Sequence, residues 1–157
     1  MSRARPAPPE DLASLGERLG ALLLDVLVLS AISLGAQFVT GFVVERPSNP
    51  TALAAYWRAM MIVSASVSLL SLVYFTVGNR TSRTIGKRLV GTQVVHYRTR
   101  ERLGWGRSFV RALMLFVLAL PAGLGLLSVL GPERRGWHDL AANSVVVRAP
   151  DRPRPQL

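Results

Sequence analysis

The sequence has 157 residues, half of them hydrophobic, and a formal net charge of +10, so its length allows one domain. The absence of cysteine excludes disulfides, thiolate metal sites and thiol nucleophiles, and two histidines are too few for a histidine-rich metal centre. Because the basic residues flank apolar runs, the charge predicts a membrane protein beside anionic lipid headgroups and no nucleic-acid partner. No metal or other cofactor is expected.

The chain begins with a proline-rich segment, residues 1–14, which we expect to be a disordered cytoplasmic arm. The apolar run that follows predicts a first membrane helix from about Leu15 to Val44. This run is too long for the apolar core of a cleaved signal peptide. Ser14 and Glu17 have the spacing of a capping box, which indicates the start of the helix.

A loop over residues 45–56 and a second membrane helix from about Ala59 to Val77 are predicted next. Three serines share one face of this helix at helical spacing: Ser64, Ser68 and Ser71. They either pack against a neighbouring helix or bond their own backbone carbonyls, and the first reading is favoured.

Residues 78–107 form the main charged connection, with eight basic residues against one acid, and the positive-inside rule places it in the cytoplasm together with the N-terminus. Within it, Leu89–Tyr97 predicts a short β-hairpin or extended segment, and Val90–His96 could pair with Ser144–Arg148 in a small sheet at the cytoplasmic membrane surface. A basic cytoplasmic surface is expected at Thr84, Gly86, Lys87 and Arg88.

The third apolar run, Phe109–Leu130, is interrupted by Pro121–Gly125. It either crosses the membrane or bends back to the same side, and the arginines at both of its ends favour the re-entrant form. The expected fold is therefore an all-α membrane protein. It has two transmembrane helices, a third broken or re-entrant apolar helix element and a small cytoplasmic β-hairpin or sheet. Residues 15–148 make the membrane domain, and residues 149–157 a disordered tail.

Two ionisable residues, Arg18 and Asp25, lie in the first apolar run, although such residues are costly in a membrane helix. They share a helix face but are separated by about 10.5 Å along the axis, so each needs its own partner. Arg18 is expected to hold Asp139 or a lipid phosphate. For the deeper Asp25, the candidate donors are Lys87, Arg88, His138 and the serines of the second helix.

Four motifs occur in a fixed order: Arg18 with Asp25, then Thr84–Leu89, then Leu103–Arg111, then Gly136–Ala141 before three valines. Together they resemble the RDD family of small bacterial membrane proteins, named for one arginine and two aspartates. The resemblance implies that Arg18 is the arginine and that Asp25 and Asp139 are the aspartates. It also implies transport of ligands not yet defined, with cation–proton exchange in some members.

The candidate site is a polar cluster of Arg18, Asp25, His138 and Asp139 in the cytoplasmic half of the membrane. Such a cluster could bind an ion or relay protons, or it could only fasten the cytoplasmic segments onto the first helix. No nucleophile is paired with His138 and Asp139, so we expect no catalytic residue and no enzyme.

We expect a multi-pass protein of the cell (inner) membrane that transports an undefined ion or small solute. The alternative is a non-transporting scaffold that binds a cytosolic or membrane partner through its basic face. A homo-oligomer is also expected, because two or three helices rarely enclose a pathway alone.

Overall fold

The computed structural model describes residues 11–44, 49–119 and 135–150. Over these ranges the protein is mostly helical with one small sheet. Its elements in chain order are α1 (Leu15–Val43), α2 (Pro50–Arg80), α3 (Ile85–Val90), β1 (Thr92–His96), α4 (Trp105–Ala119), α5 (Trp137–Ala141) and β2 (Ser144–Arg148). The chain divides into two compact units, residues 1–25 with 72–157, and residues 26–71.

Helix α1 begins at the predicted capping box. The backbone N–H of Ser14 donates to a carboxylate oxygen of Glu17 over 2.7 Å, and the backbone N–H of Glu17 donates to the Ser14 hydroxyl over 3.2 Å. These two bonds satisfy donors that a helix start otherwise leaves unpaired. The prediction of this helix start is confirmed.

Helix α2 begins earlier than predicted. Pro50 occupies its first turn, where the missing N–H has no cost, and the side-chain oxygen of Asn49 accepts from the backbone N–H of Ala52 over 2.7 Å. The predicted loop over residues 45–56 and the predicted helix start near Ala59 were therefore wrong. The helix also continues three residues beyond Val77, to Arg80.

The helices α1 and α2, with 29 and 31 residues, are long and apolar enough to cross a membrane. In each helix, only 11% of the most apolar 18-residue segment is buried inside the protein. Large apolar side chains are consequently exposed, and Phe42 shows 82% of its surface. Length, composition and this exposure are compatible with a membrane location.

Within the unit of residues 26–71, two of the three serines bond to their own helix. The Ser68 hydroxyl donates to the carbonyl of Ser64 over 2.9 Å, and the Ser71 hydroxyl donates to the carbonyl of Val67 over 2.8 Å. Ser68 and Ser71 therefore make the backbone bonds of the second reading, and packing of this face against a neighbouring helix stays a prediction.

The small sheet joins two distant parts of the chain. β1 and β2 run antiparallel, with Val94 opposite Val146. The predicted pairing of these two segments is confirmed, whereas β1 forms no hairpin with its sequence neighbours, because its ladder partner is β2. Two clusters of buried apolar side chains cover the sheet: Leu12, Val95, Val145 and Val147, and Ala13, Val94, Leu103 and Val146.

Both ends of the predicted membrane domain extend onto this sheet. Leu12 forms a bridge with Val147, and the backbone N–H of Ala13 donates to the carbonyl of Val146 over 3.1 Å. The N–H of Ala149 donates to the carbonyl of Gly91 over 2.9 Å. Residues 12–14 and 149 are therefore part of the fold and do not belong to a disordered arm or tail. Residues 1–10 and 151–157 lie outside the described residues.

Helix α4 is amphipathic. Ser108, Arg111 and Ala112 are buried on one side, while Phe109 and other apolar side chains are exposed on the opposite side. The interruption at residues 121–125 lies outside the described residues, so the re-entrant geometry of the third apolar run stays a prediction.

Candidate functional site

The carboxylate of Asp25 is buried, with 1% exposure, and accepts three hydrogen bonds from uncharged donors. The hydroxyl of Tyr74 donates over 2.6 Å, the hydroxyl of Thr84 over 2.5 Å and the backbone N–H of Gly86 over 2.8 Å. Three donors at these distances satisfy the carboxylate without a cationic partner among the described residues.

Local sequence explains why α3 reaches this carboxylate. The Thr84 hydroxyl caps α3 by accepting from the backbone N–H of Lys87 over 3.4 Å, and Gly91 ends the helix in the left-handed region with a φ of 74°. Gly86 lies against α1 so closely that a Cβ would stand 2.1 Å from the carbonyl oxygen of Ala21. Only glycine allows this approach.

Tyr74 connects α2 to the same site. Its hydroxyl donates to Asp25 and accepts from the backbone N–H of Ile85 over 2.9 Å. The phenol therefore satisfies one of the first N–H groups of α3 while it holds the carboxylate of α1. Three helices meet at one carboxyl group.

Asp139 lies in different surroundings, because charged donors balance the negative charge of its carboxylate. It is fully buried, and its carboxylate accepts from Arg18 over 3.1 Å and from two nitrogens of Arg111 over 3.0 and 2.5 Å. Burial alone would raise the pKa of Asp139, but Arg111 and the other neighbouring cations outweigh it and hold this pKa well below the ordinary value. Asp139 therefore stays ionised and joins α1, α4 and α5.

Arg18 and Arg111 extend this network to the sheet and to α2. Arg18 also donates to the backbone carbonyls of Ala13 and Val146, each over 3.1 Å. Arg111 donates to the side-chain oxygen of Asn79 over 2.8 Å. The two guanidinium groups thus fasten four parts of the chain to one carboxylate.

His138 adds no charge to this network near neutral pH. Its Nε2 lies 3.6 Å from a carboxylate oxygen of Asp139, which is beyond hydrogen-bond distance. Burial lowers the pKa of His138 to about 4, and the attraction of Asp139 only partly opposes this effect.

A cavity of about 60 Å³ borders both aspartate sites. Its polar lining comes from Arg18, Asp25, Lys87, Thr92, Arg111 and His138. Leucines of α1 and Phe75 complete the wall. Such a volume accommodates about two water molecules or one small ion. Burial lowers the pKa of Lys87 to about 7, so that its ammonium group can gain or lose a proton near neutral pH.

The structure divides the predicted polar cluster into two parts. The predicted contact between Arg18 and Asp139 is present, and His138 lies beside it. Asp25 belongs to a separate set of bonds, although it lines the same cavity as Arg18 and His138.

The donors predicted for Asp25 were wrong. Within the described part of the chain, its hydrogen-bond donors are Tyr74, Thr84 and Gly86 and include none of the predicted residues. Thr84 and Gly86 are buried, so they do not contribute to the basic surface assigned to them. Arg88 is exposed, and Lys87 faces the cavity.

Three residues of the site were missed from the sequence: Tyr74, Asn79 and Arg111. Arg111 had a visible signal, since it is an arginine two residues inside a run that starts at Phe109. Asn79 ends an apolar helix pattern, where a buried amide is unusual. Tyr74 had no signal, because an aromatic residue in an apolar run is ordinary.

The architecture is that of a mostly helical protein with two apolar helices suited to a membrane and a buried arginine–aspartate network. The model of the RDD family matches residues 12–143. This chain belongs to the RDD family, which confirms the resemblance found in its motifs. No curated protein and no solved structure matches it significantly.

Proposed function

We propose that this protein is an integral membrane protein that moves a small ion or solute across the bilayer, with Asp25 as the central residue of the pathway. The observation that carries the proposal is the contrast between the two buried aspartates. Asp139 is compensated by two arginines, as a structural fastening requires. In the described part of the chain, Asp25 is bonded only by uncharged donors and faces a cavity.

A buried carboxylate without a paired cation is expensive to maintain for structure alone. In a membrane helix, such residues commonly mark the path of an ion or proton. The cavity beside Asp25 offers the space for such a species, and Lys87 lines the same cavity. The transported species would then pass Asp25 while the Asp139 network keeps the surrounding helices in place.

The membrane placement rests on α1 and α2 and on the basic connection between residues 78 and 107. Both helices have the length and hydropathy of membrane spans. The positive-inside rule puts the basic connection, the N-terminus and the sheet in the cytoplasm. A periplasmic reporter fused after Arg148 should then be inactive, and activity of this fusion would contradict the placement.

Transport is tested in proteoliposomes with the wild-type protein, Asp25→Asn and the control Glu17→Gln. Glu17 is also an acid of α1, but its carboxylate is partly exposed. Under imposed ion and pH gradients, we expect flux in the wild type and in the control, and at least a tenfold loss in Asp25→Asn with an unchanged elution volume. Absence of wild-type flux under every gradient would refute the proposal, as would full flux in Asp25→Asn.

The alternative is a scaffold that recruits a partner through its basic face. One observation favours it: Arg88, Arg98, Arg102 and Arg107 are all exposed. A scaffold without transport predicts no flux, and capture of one acidic cytosolic protein that is lost when Arg98 and Arg102 are replaced by glutamine. Flux that survives this double replacement would reject the scaffold.

A further inference from the structure

Two hydrogen-bond donors, one buried and one half-buried, belong to residues that line the cavity and lack an adequate partner within the described part of the chain. Thr92 is fully buried, and its hydroxyl has no hydrogen bond there. The Lys87 ammonium makes one long contact, over 3.5 Å, with the side-chain oxygen of Asn79. Because buried polar groups are nearly always satisfied in native proteins, the Thr92 hydroxyl indicates a missing partner, and one acceptor in the cavity would satisfy both Thr92 and the weakly bonded Lys87.

The two carboxylates near the cavity already accept several hydrogen bonds. The oxygens of Asp25 receive three hydrogen bonds, and those of Asp139 receive bonds from Arg18 and Arg111. A cation entering the cavity would find a lone pair of Asp25 and the oxygen of Thr92, but it would lie beside three cationic side chains, Arg18, Lys87 and Arg111. An anion is attracted by these side chains and accepts hydrogen bonds from the Lys87 ammonium and the Thr92 hydroxyl.

The charges around the cavity give the valence of its occupant. Among the described residues, three cations line it, Arg18, Lys87 and Arg111, and the carboxylates that line it or pair with these cations are Asp25 and Asp139. With Lys87 protonated, the site has one positive charge in excess, and one monovalent anion neutralises it. A divalent anion would leave a net negative charge in a poorly solvated space, which is unfavourable.

The volume and walls limit the size of this anion. About 60 Å³ holds an ion of roughly the size of one or two waters. Leucines and Phe75 form the remaining wall, which suits a weakly hydrated, polarisable ion better than a strongly hydrated one.

We infer that the cavity binds one small monovalent anion of the halide class, held between the ammonium group of Lys87 and the hydroxyl of Thr92. The inference rests on the proposed function, because it names the class of ion that the same site transports.

Protonation of Lys87 couples this binding to pH. Burial lowers the pKa of Lys87 to about 7, against the attraction of the two aspartates. The charged and titratable groups that face it are Arg18 and Asp25 from α1, Arg111 from α4, and His138 and Asp139 from α5. When Lys87 loses its proton, the excess positive charge disappears. Anion affinity therefore falls about tenfold per pH unit above this pKa, and the anion moves together with a proton.

Binding is tested directly on the purified full chain in detergent, by equilibrium dialysis with radioactive chloride at constant ionic strength set by gluconate. We expect one chloride per chain at pH 6 and much weaker binding at pH 8. Lys87→Met should weaken binding about tenfold or more, and Thr92→Val about threefold to tenfold. The control Arg88→Met changes the neighbouring exposed arginine and should bind as the wild type does.

The outcomes separate this inference from the proposed function. Absence of saturable chloride binding by the wild type overturns the inference, as does unchanged affinity in Thr92→Val and in Lys87→Met. If Lys87→Met fails to fold, the chloride affinity of Thr92→Val decides. Thr92→Ser, which keeps a hydroxyl at this position, should then bind chloride as the wild type does. Chloride binding without flux in liposomes would refute transport and leave the site intact. Flux of a cation without chloride binding would support transport and overturn the anion site.

Discussion

The backbone N–H of Gly86 donates to the carboxylate of Asp25 over 2.8 Å, and this bond depends on the missing side chain of Gly86. A Cβ at this position would stand 2.1 Å from the carbonyl oxygen of Ala21 and 3.0 Å from the carboxyl carbon of Asp25. The backbones of α3 and α1 are therefore in direct contact where the acid is held. Geometry at Asp25 is set by the main chain as much as by side chains.

Replacement of Gly86 by alanine should separate α3 from α1, because neither the Ala21 carbonyl nor the helix backbone can give way. We expect a loss of stability of about 1–3 kcal/mol or more, read as a lower melting temperature in detergent. Gly106→Ala is the matched control, since nothing lies within 4 Å of a Cβ added to Gly106 in α4. Equal melting temperatures for both variants would contradict the close packing at Gly86.

Replacement of Arg111 by methionine should strongly destabilise the protein. It leaves Asp139 buried with Arg18 as its remaining guanidinium partner among the described residues, and a buried carboxylate that loses a partner costs about 3–5 kcal/mol. The measurement is thermal unfolding, together with the yield of monodisperse protein.

The exposed Arg107 of the same helix provides the control, and Arg107→Met should melt within a few degrees of the wild type. The double variant Arg111→Met, Asp139→Asn should recover part of the lost stability, because it removes the unpaired charge. A double variant less stable than Arg111→Met alone would argue against an ionic network.

Acidification should destabilise the protein through His138. In the unfolded chain this imidazole takes up a proton near its ordinary pKa of about 6.5, whereas in the fold the pKa is lowered to about 4. Between these values the unfolded state binds more protons, so stability decreases as the pH falls, by up to about 3 kcal/mol. Asp139 adds a loss in the same direction only below its ordinary pKa, because its pKa in the fold is lower still.

The check is the melting temperature of the wild type and of His138→Gln between pH 7 and pH 4.5. The variant should show a much flatter dependence, since glutamine does not titrate. His96→Gln is the control: the pKa of His96 is lowered by burial to a smaller extent, so this variant should keep most of the slope. An identical slope in wild type and His138→Gln would exclude His138 as the cause.

The capping bond of Ser14 at the start of α1 should contribute to the stability of the protein. Ser14→Ala removes the hydroxyl that caps the helix and should cost about 1 kcal/mol. Thr51→Ala, in the exposed first turn of α2, is expected to have little effect on the melting temperature. A Ser14→Ala variant as stable as Thr51→Ala would show that the helix start is held by the sheet contacts of Leu12 and Ala13 instead.

The sequence was sufficient for features that depend on pattern and spacing. The apolar runs predicted both long helices, and the β-branched segments predicted the pairing of β1 with β2. The interfacial position of Arg18 predicted a contact with Asp139 or a lipid phosphate, and the contact with Asp139 is observed. In each case the side-chain chemistry leaves few alternatives. The start of α2 could also be predicted from the sequence, because Asn49 before Pro50 is a normal N-cap. The prediction of a loop over these two residues overlooked this signal.

The surroundings of Asp25 could not be predicted in this way. One donor is a backbone N–H, which every residue except proline has, and another is a tyrosine that looks like part of an apolar helix. The third, Thr84, appeared to belong to a basic surface because its neighbours are lysine and arginine. A short helix brings these groups to the acid, and its position depends on the space left by Gly86.

The ion pair between Arg18 and Asp139 spans 121 residues of chain, and the sheet contacts of residues 12 and 13 are equally remote. At about 5–20 residues per second, a ribosome delivers Asp139 roughly 6–24 s after Arg18. Through this interval the first helix carries an arginine whose partner has not yet been synthesised. Assembly of the domain is therefore completed only after Asp139 has been synthesised, and a chain that stops before Asp139 lacks the carboxylate that pairs with Arg18 of the first helix.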